Sequence, residues 1–168
     1  HLGGANALTK GLAELLDAIP VVTTSSDVNG KIAIDVFAQK NNLVISSMKQ
    51  AKLCASKIVS GEPVSFYSDS KIMGRIPSEV SFDRRDAKFH VIVTPYIQNL
   101  ADEILHLIPK AFVLGIGCKK GTPVEIIEAR VKEELNKKCI DIRSIKAMGT
   151  IDLKRNEAGL IDFAAKKK

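Results

Sequence analysis

The sequence predicts an α/β protein of open, mostly parallel sheets flanked by helices, divided into more than one domain. Three observations carry this. Short runs of apolar and β-branched residues alternate with segments of helical periodicity. Two glycine-rich turns, HLGGAN at His1 and GIGCKKG at Gly115, each lead directly into a helical pattern. Natural boundaries fall near Ser46 and near Pro109, with no internal repeat and no low-complexity linker.

In chain order, the first helix carries Leu8, Leu12, Leu15, Leu16 and Ile19 as an expected buried face, and Pro20 ends it. Val21–Thr24 reads as a β-branched strand that opens into SSDVNG, where Asn29-Gly30 marks a turn. Ile32–Gln39 reads as helix and Leu43–Ile45 as a short strand. Ser47 starts the next helix with Gln50 as capping-box partner, and Met48, Ala51, Ala55, Ile58 and Val59 form its inner stripe. Cys54 lies close to that stripe and is expected in the core. Val64–Tyr67 and Phe89–Thr94 read as strands separated by a polar stretch, and Ile97–Ile108 as a helix or an irregular connection. Phe112–Gly117 is a buried strand ending in glycine. Thr122 then serves as N-cap, Pro123 as first helical residue and Glu125 as the capping-box acid. Val124, Ile127, Val131 and Leu135 form the apolar face of that helix, which ends near Lys138. A short helix over Asp141–Met148 and a strand over Gly149–Leu153 follow. A final helix, capped by Asn156, contains Leu160, Ile161 and Phe163.

Composition narrows the function. With 168 residues and 45% hydrophobic content the chain can bury a real core, and no apolar run reaches membrane-span length. A balance of 25 basic against 19 acidic residues, +6 overall, favours acidic ligands. Two tyrosines, six phenylalanines and no tryptophan are thin material for stacking bases, so nucleic acid is disfavoured as a partner. Cys54, Cys118 and Cys139 form neither a metal motif nor an even disulfide set, which points to a reducing cytoplasm. The chain opens on His1 inside a glycine motif and closes on Lys166–Lys168 soon after a helical pattern, as a fragment of a longer protein would.

Strand, glycine turn and capped helix from Phe112 to Leu135 place free backbone N–H groups and a positive dipole end beside an open crevice. Lys119 and Lys120 add two full positive charges there. Gly115, Gly117, Lys119, Lys120 and Thr122 are therefore the first candidates for binding an anion. A tight turn with solvated lysines is the plainer alternative.

The segments HLGGAN, VVTTSSD, GIGCKKGT and TIDLK, in this order, resemble the cobalt-precorrin-5A hydrolase family, the G protein of anaerobic cobalamin biosynthesis. The resemblance makes residues 1–45 the end of the N-terminal α/β domain, 46–109 a middle α/β region and 110–168 the start of the C-terminal α/β domain. It implies hydrolytic opening of the ring A δ-lactone of a cobalt-bound corrin precursor, followed by loss of acetaldehyde. It also implies an anionic cobalt-tetrapyrrole substrate whose cobalt belongs to the substrate, so neither a cofactor nor a protein metal site is required. A homo-oligomer or hand-over to other pathway enzymes is compatible with that role.

Such chemistry needs a base for water, donors for the oxyanion and cations for carboxylates. Asp27, where the Val21–Thr24 strand opens into a loop, is the candidate base, with Thr23 and Thr24 as binding residues. Asp27 could equally cap or turn the chain. Gly3, Gly4 and Asn6 fit a carboxylate-binding turn, with His1 as acid, base or donor, or else merely shape the helix start. Asp152 and Lys154 in TIDLK face the same crevice as the second glycine turn or form an exposed strand end. Cys118, His90 and His106 are expected to be structural. Two rival readings are a carrier that holds a corrin intermediate without reacting it, and a nucleotide-binding domain. The second is weak, because GIGCKKG has neither dinucleotide-fingerprint spacing nor a P-loop.

Overall fold

The computed structural model describes residues 4–19, 34–73, 80–82, 86–98 and 101–166. The elements are α1 (Gly4–Leu15), α2 (Ile34–Lys40), β1 (Leu43–Ile45), α3 (Met48–Val59), β2 (Val64–Ser68), β3 (Val80–Phe82), β4 (Phe89–Val93) and β5 (Ile104–Pro109). They continue with β6 (Phe112–Gly115), α4 (Val124–Lys137), β7 (Ile145–Gly149) and α5 (Ala158–Lys166). Short 3-10 turns at Ile142–Ser144 and Asp152–Lys154 complete the set. The α/β class with mostly parallel sheets and flanking helices is as the sequence indicates.

Strands β1 to β5 form one sheet in the order β1-β5-β4-β2-β3, parallel except for the edge pair β1–β5. Phe37, Ala51, Cys54 and Ile58 from α2 and α3 pack on Phe66, Phe89, Val91 and Leu105 of the sheet. Residues 34–45 thus join this unit through both packing and the Leu43–Pro109 pairing. Burial removes Cys54 from water completely and pushes its thiol up to about 12, so it is inert core. Strands β6 and β7 form a separate two-stranded parallel sheet covered by α4 and α5 around Ile127, Val131, Leu135, Leu160 and Phe163.

Several expectations are corrected. Ile104–Pro109 is a strand, neither helix nor irregular connection. It lies between β1 and β4 and is buried on both faces, so its apolar residues need no alternation and mimic a helical pattern. Val80–Phe82, inside the stretch read as polar, adds a parallel edge strand to β2. Asp141–Met148 is not a helix. The Asp141 side chain accepts from the Arg143 amide at 2.8 Å and caps a single 3-10 turn, after which the chain enters β7 beside β6. The strand expected at Gly149–Leu153 therefore ends at Gly149. In α3, Ser47 Oγ caps the Gln50 amide at 3.3 Å as expected, but Met48 and Val59 are exposed and Cys54 takes their place in the stripe. The apolar stripe of α1 is not buried: Leu15 is 83% and Ile19 90% exposed, and Ala13 is the one buried residue among those of this helix whose burial is described. Helical spacing marks a face that could be buried, and Leu8, Leu12, Leu15 and Leu16 stay exposed all the same.

The two units meet at a polar seam. Thr94, His106, Asp141 and Ser144, the buried polar residues among those described, all lie there. The Asp141 amide donates to Pro95 O at 2.9 Å, and the Ile97 amide donates to Cys139 O at 2.6 Å. His106 Nε2 stands 2.9 Å from Thr94 O; a carbonyl only accepts, so Nε2 carries the proton. Burial pulls the His106 pKa below its ordinary value; the Thr94 bond and the Asp141 charge push the other way, and Arg143 adds to the fall. His106 is thus favoured neutral in the fold, whereas an unfolded chain takes up the proton below about pH 6.5. Its contribution is complete above that value and is lost as pH falls through the window down to its depressed folded value. Urea midpoints at pH 7.5 and 5.5 should therefore differ, and His106→Gln should flatten the difference. An equal pH slope in the variant would show that His106 is not the titrating group.

Candidate functional site

Strands β6 and β7 run in parallel with Gly115 opposite Gly149, so the connections leaving their carboxyl ends emerge side by side. The Ile116 amide donates to Gly149 O at 3.0 Å and the Thr150 hydroxyl donates to Ile116 O at 2.8 Å, stitching the two connections together. In parallel α/β sheets this edge is where ligand crevices form. The 116–123 connection holds Gly117, Lys119, Lys120 and Thr122; the 150–157 connection holds Asp152 and Lys154. These residues and Gly115 are brought to one end of one unit. Lys119 and Lys120 are exposed.

Within the turn, Gly121 has φ +73° and needs glycine, whereas a Cβ at Gly115 or Gly117 would meet open space. Thr122 is not the N-cap. Pro123 holds that position with no side-chain bond, and the Thr122 hydroxyl donates back to Lys119 O at 2.8 Å, closing the turn on itself. Asp152 and Lys154 sit on a 3-10 turn after β7 rather than at the end of a longer strand.

The turn already holds an anion from its own chain. The Gly121 amide donates to Glu157 Oε2 at 2.9 Å, and Lys154 Nζ reaches Glu157 Oε1 at 3.2 Å. The Gly121 bond first, then Lys154, hold the Glu157 carboxyl below the usual carboxylate range, with Lys120 adding a smaller pull. Sequence reading missed Glu157 because a glutamate beside Asn156 at a helix start reads as a dipole-matched acid.

A second polar cluster lies at the carboxyl ends of β2 and β4, where strands are added to opposite sides of β2 and the sheet order reverses. The Tyr67 hydroxyl donates to Asp69 Oδ1, and the Thr94 hydroxyl donates to Asp69 Oδ2 at 2.6 Å. These bonds, Thr94's the larger, keep Asp69 ionised below its ordinary range. No sequence motif marks this cluster; it forms because β2 and β4 pair in register, Ser68 opposite Val93.

Among the remaining candidates, Gly4 and Asn6 fall in the first turn of α1. His1, Gly3, Thr23, Thr24 and Asp27 lie outside the described residues. Among the described residues no group of three or more His, Cys, Asp or Glu could hold a metal ion, and no helix is long and apolar enough to cross a membrane.

Comparison with known proteins agrees with this organisation. A family model described as the cobalamin biosynthesis central region matches residues 32–109, and one described as the cobalamin synthesis G C-terminus matches residues 112–168. The chain is 33% identical to the cobalt-precorrin-5A hydrolase of Salmonella typhimurium, over 98% of this chain and 50% of that protein. It is 29% identical to the cobalt-precorrin-5A hydrolase of Priestia megaterium, over 99% of this chain and 49% of that protein. A Methanocaldococcus jannaschii protein named probable cobalt-precorrin-5A hydrolase is 28% identical over 100% of this chain and 49% of its own length. The chain thus spans about half the length of the curated relatives it matches. With matches to both the central region and the C-terminus, the chain belongs to the cobalamin biosynthesis G family.

Proposed function

We propose that the chain acts in the cobalt-precorrin-5A hydrolase step of cobalamin synthesis, opening the ring A δ-lactone of an anionic cobalt-tetrapyrrole with subsequent release of acetaldehyde. The observation that carries this reading is the match of almost the whole chain to two proteins of that name. In the opening step a base takes a proton from water as its oxygen adds to the lactone carbonyl carbon. The acyl–oxygen bond then breaks, and the departing alkoxide takes a proton back. Asp27 is our candidate base and His1 the candidate acid. Gly3, Gly4, Asn6, Thr23 and Thr24 would bind beside them, Gly115, Gly117, Lys119, Lys120 and Thr122 would seat a carboxylate arm of the substrate, and Asp152 and Lys154 would line the same crevice. That arm would compete with Glu157 for the Gly121 amide.

The direct test is anaerobic acetaldehyde release from cobalt-precorrin-5A, with the full-length Salmonella typhimurium relative run alongside. Release by this chain supports the reading. Binding without release by this chain, with release by the relative, would favour a carrier role for it. Separately, Lys119→Glu with Lys120→Glu is expected to weaken substrate binding about tenfold or more at low salt, because two attractions become repulsions at an exposed site. Unchanged affinity would remove the anion-seat assignment.

A further inference from the structure

A cavity of about 570 Å³ lies between β7 and the helices α4 and α5. Its floor is apolar: Leu114 from β6, Met148 from β7, Val131 from α4 and Phe163 from α5. Its rim is basic, with Lys110, Arg143, Lys146 and Lys166. Lys110 precedes β6 and Arg143 precedes β7, so this rim stands at the end of the strands opposite the glycine turn.

The four cations are not equally committed. Arg143 is spent on Asp141, at 2.7 Å and 3.0 Å, and Lys166 stands 3.8 Å from Glu128. Lys110 Nζ reaches the Ile145 carbonyl at 3.4 Å, and neither Lys110 nor Lys146 has a carboxylate within ion-pair reach among the described residues. Two uncompensated ammonium groups therefore flank an apolar slot of ligand size.

A second, smaller cavity of about 170 Å³ shares Met148 and Ala164 with it and is lined further on by Thr150, Lys154 and Arg155, beside the glycine-turn connections. Together the two cavities line β7 with an apolar strip that has Lys110 and Lys146 toward one end and Arg155, beside the Glu157-paired Lys154, toward the other. An apolar floor rewards a flat apolar body, while separated cations reward anionic groups at opposite edges of it.

We propose that this strip seats the body of a flat ligand edged with carboxylates, and that Lys110 and Lys146 take carboxylates at the end remote from the glycine turn. The assignment deepens the tetrapyrrole reading above and rests on it for the ligand class. It goes further in giving the second unit two anion contacts on one ligand, one at each end of β7.

The test is a low-salt titration of the protein with uroporphyrin III, a metal-free tetrapyrrole carrying eight carboxylates, followed by its Soret absorbance. Lys110→Glu with Lys146→Glu should bind about tenfold more weakly or worse, with a shallower salt dependence. Ala164→Phe, which fills the strip where the two cavities meet, should also lose binding while the helical circular dichroism is unchanged. If both variants bind as the parent does, the strip is not the seat. If the lysine pair matters only because it links two copies of the chain, sedimentation will show a dimer that the variant abolishes and Ala164→Phe will bind normally; that too overturns the proposal. The Lys119→Glu, Lys120→Glu protein separates the two readings. Parental binding in it, with loss in the Lys110, Lys146 variant, sinks the glycine-turn seat and leaves the strip; the reverse pattern sinks the strip and leaves the turn.

Discussion

Phe163→Ala is expected to cost about 3–5 kcal/mol, enough to unfold the second unit or leave it barely stable. Phe163 is 1% exposed and packs with Ile127, Val131, Leu135 and Leu160, the other buried residues of that core. A core of so few side chains has little to collapse into the void, so the cost should fall near the upper end of the range. Ile161 stands on the same helix but is 51% exposed, and Ile161→Ala should change stability by only about 0.5 kcal/mol. Urea unfolding followed by circular dichroism measures both. Similar midpoints for the two variants would mean that α5 does not bury the face described.

The second large effect comes from adding atoms. Gly159→Ala places a Cβ 2.2 Å from the Thr122 carbonyl oxygen and 3.3 Å from the Val124 amide nitrogen. Both neighbours are backbone, so neither can rotate away; α5 must shift off the start of α4. Helix propensity alone would favour alanine by about 1 kcal/mol, and overpacking should reverse the sign, to a net loss of about 2–3 kcal/mol. Since Glu157 lies two residues before Gly159, the shift should also draw its carboxylate from the Gly121 amide, which would appear as a moved Gly121 resonance in a proton–nitrogen spectrum. Gly117→Ala, where a Cβ meets open space, is the control and should be nearly neutral. A Gly159→Ala protein more stable than its parent would show that the two helix starts do not touch.

What the sequence made legible follows from how local each cause is. The apolar spacing of Ile127, Val131 and Leu135 and the run Leu43–Ile45 report contacts their own segments dictate, and both elements form where expected. The Ser47 cap was equally local. β5 was misread because a strand buried on both faces loses the alternation that would reveal it. Thr122 had the right residue type for a cap, but a hydroxyl one residue too early finds the Lys119 carbonyl instead. The glycine-turn edge was visible as a motif, while Glu157 and the Asp69 cluster depend on pairings between distant segments. No single stretch of sequence encodes those. The stripe of α1 shows the opposite error: the pattern was real, and its burial was not.

The seam has a consequence for how the molecule comes apart. Each unit closes its own apolar core, and the seam between them is crossed by the Asp141–Pro95 and Ile97–Cys139 backbone hydrogen bonds, with the Tyr96–Phe112 ring contact as its apolar part. Melting one unit therefore exposes little of the other's oil, and heat should release them in two calorimetric steps instead of one. Alignment is another matter, because a small slip along the seam orphans buried donors and acceptors together. The halves should then fail separately under heat while staying geometrically keyed to one another.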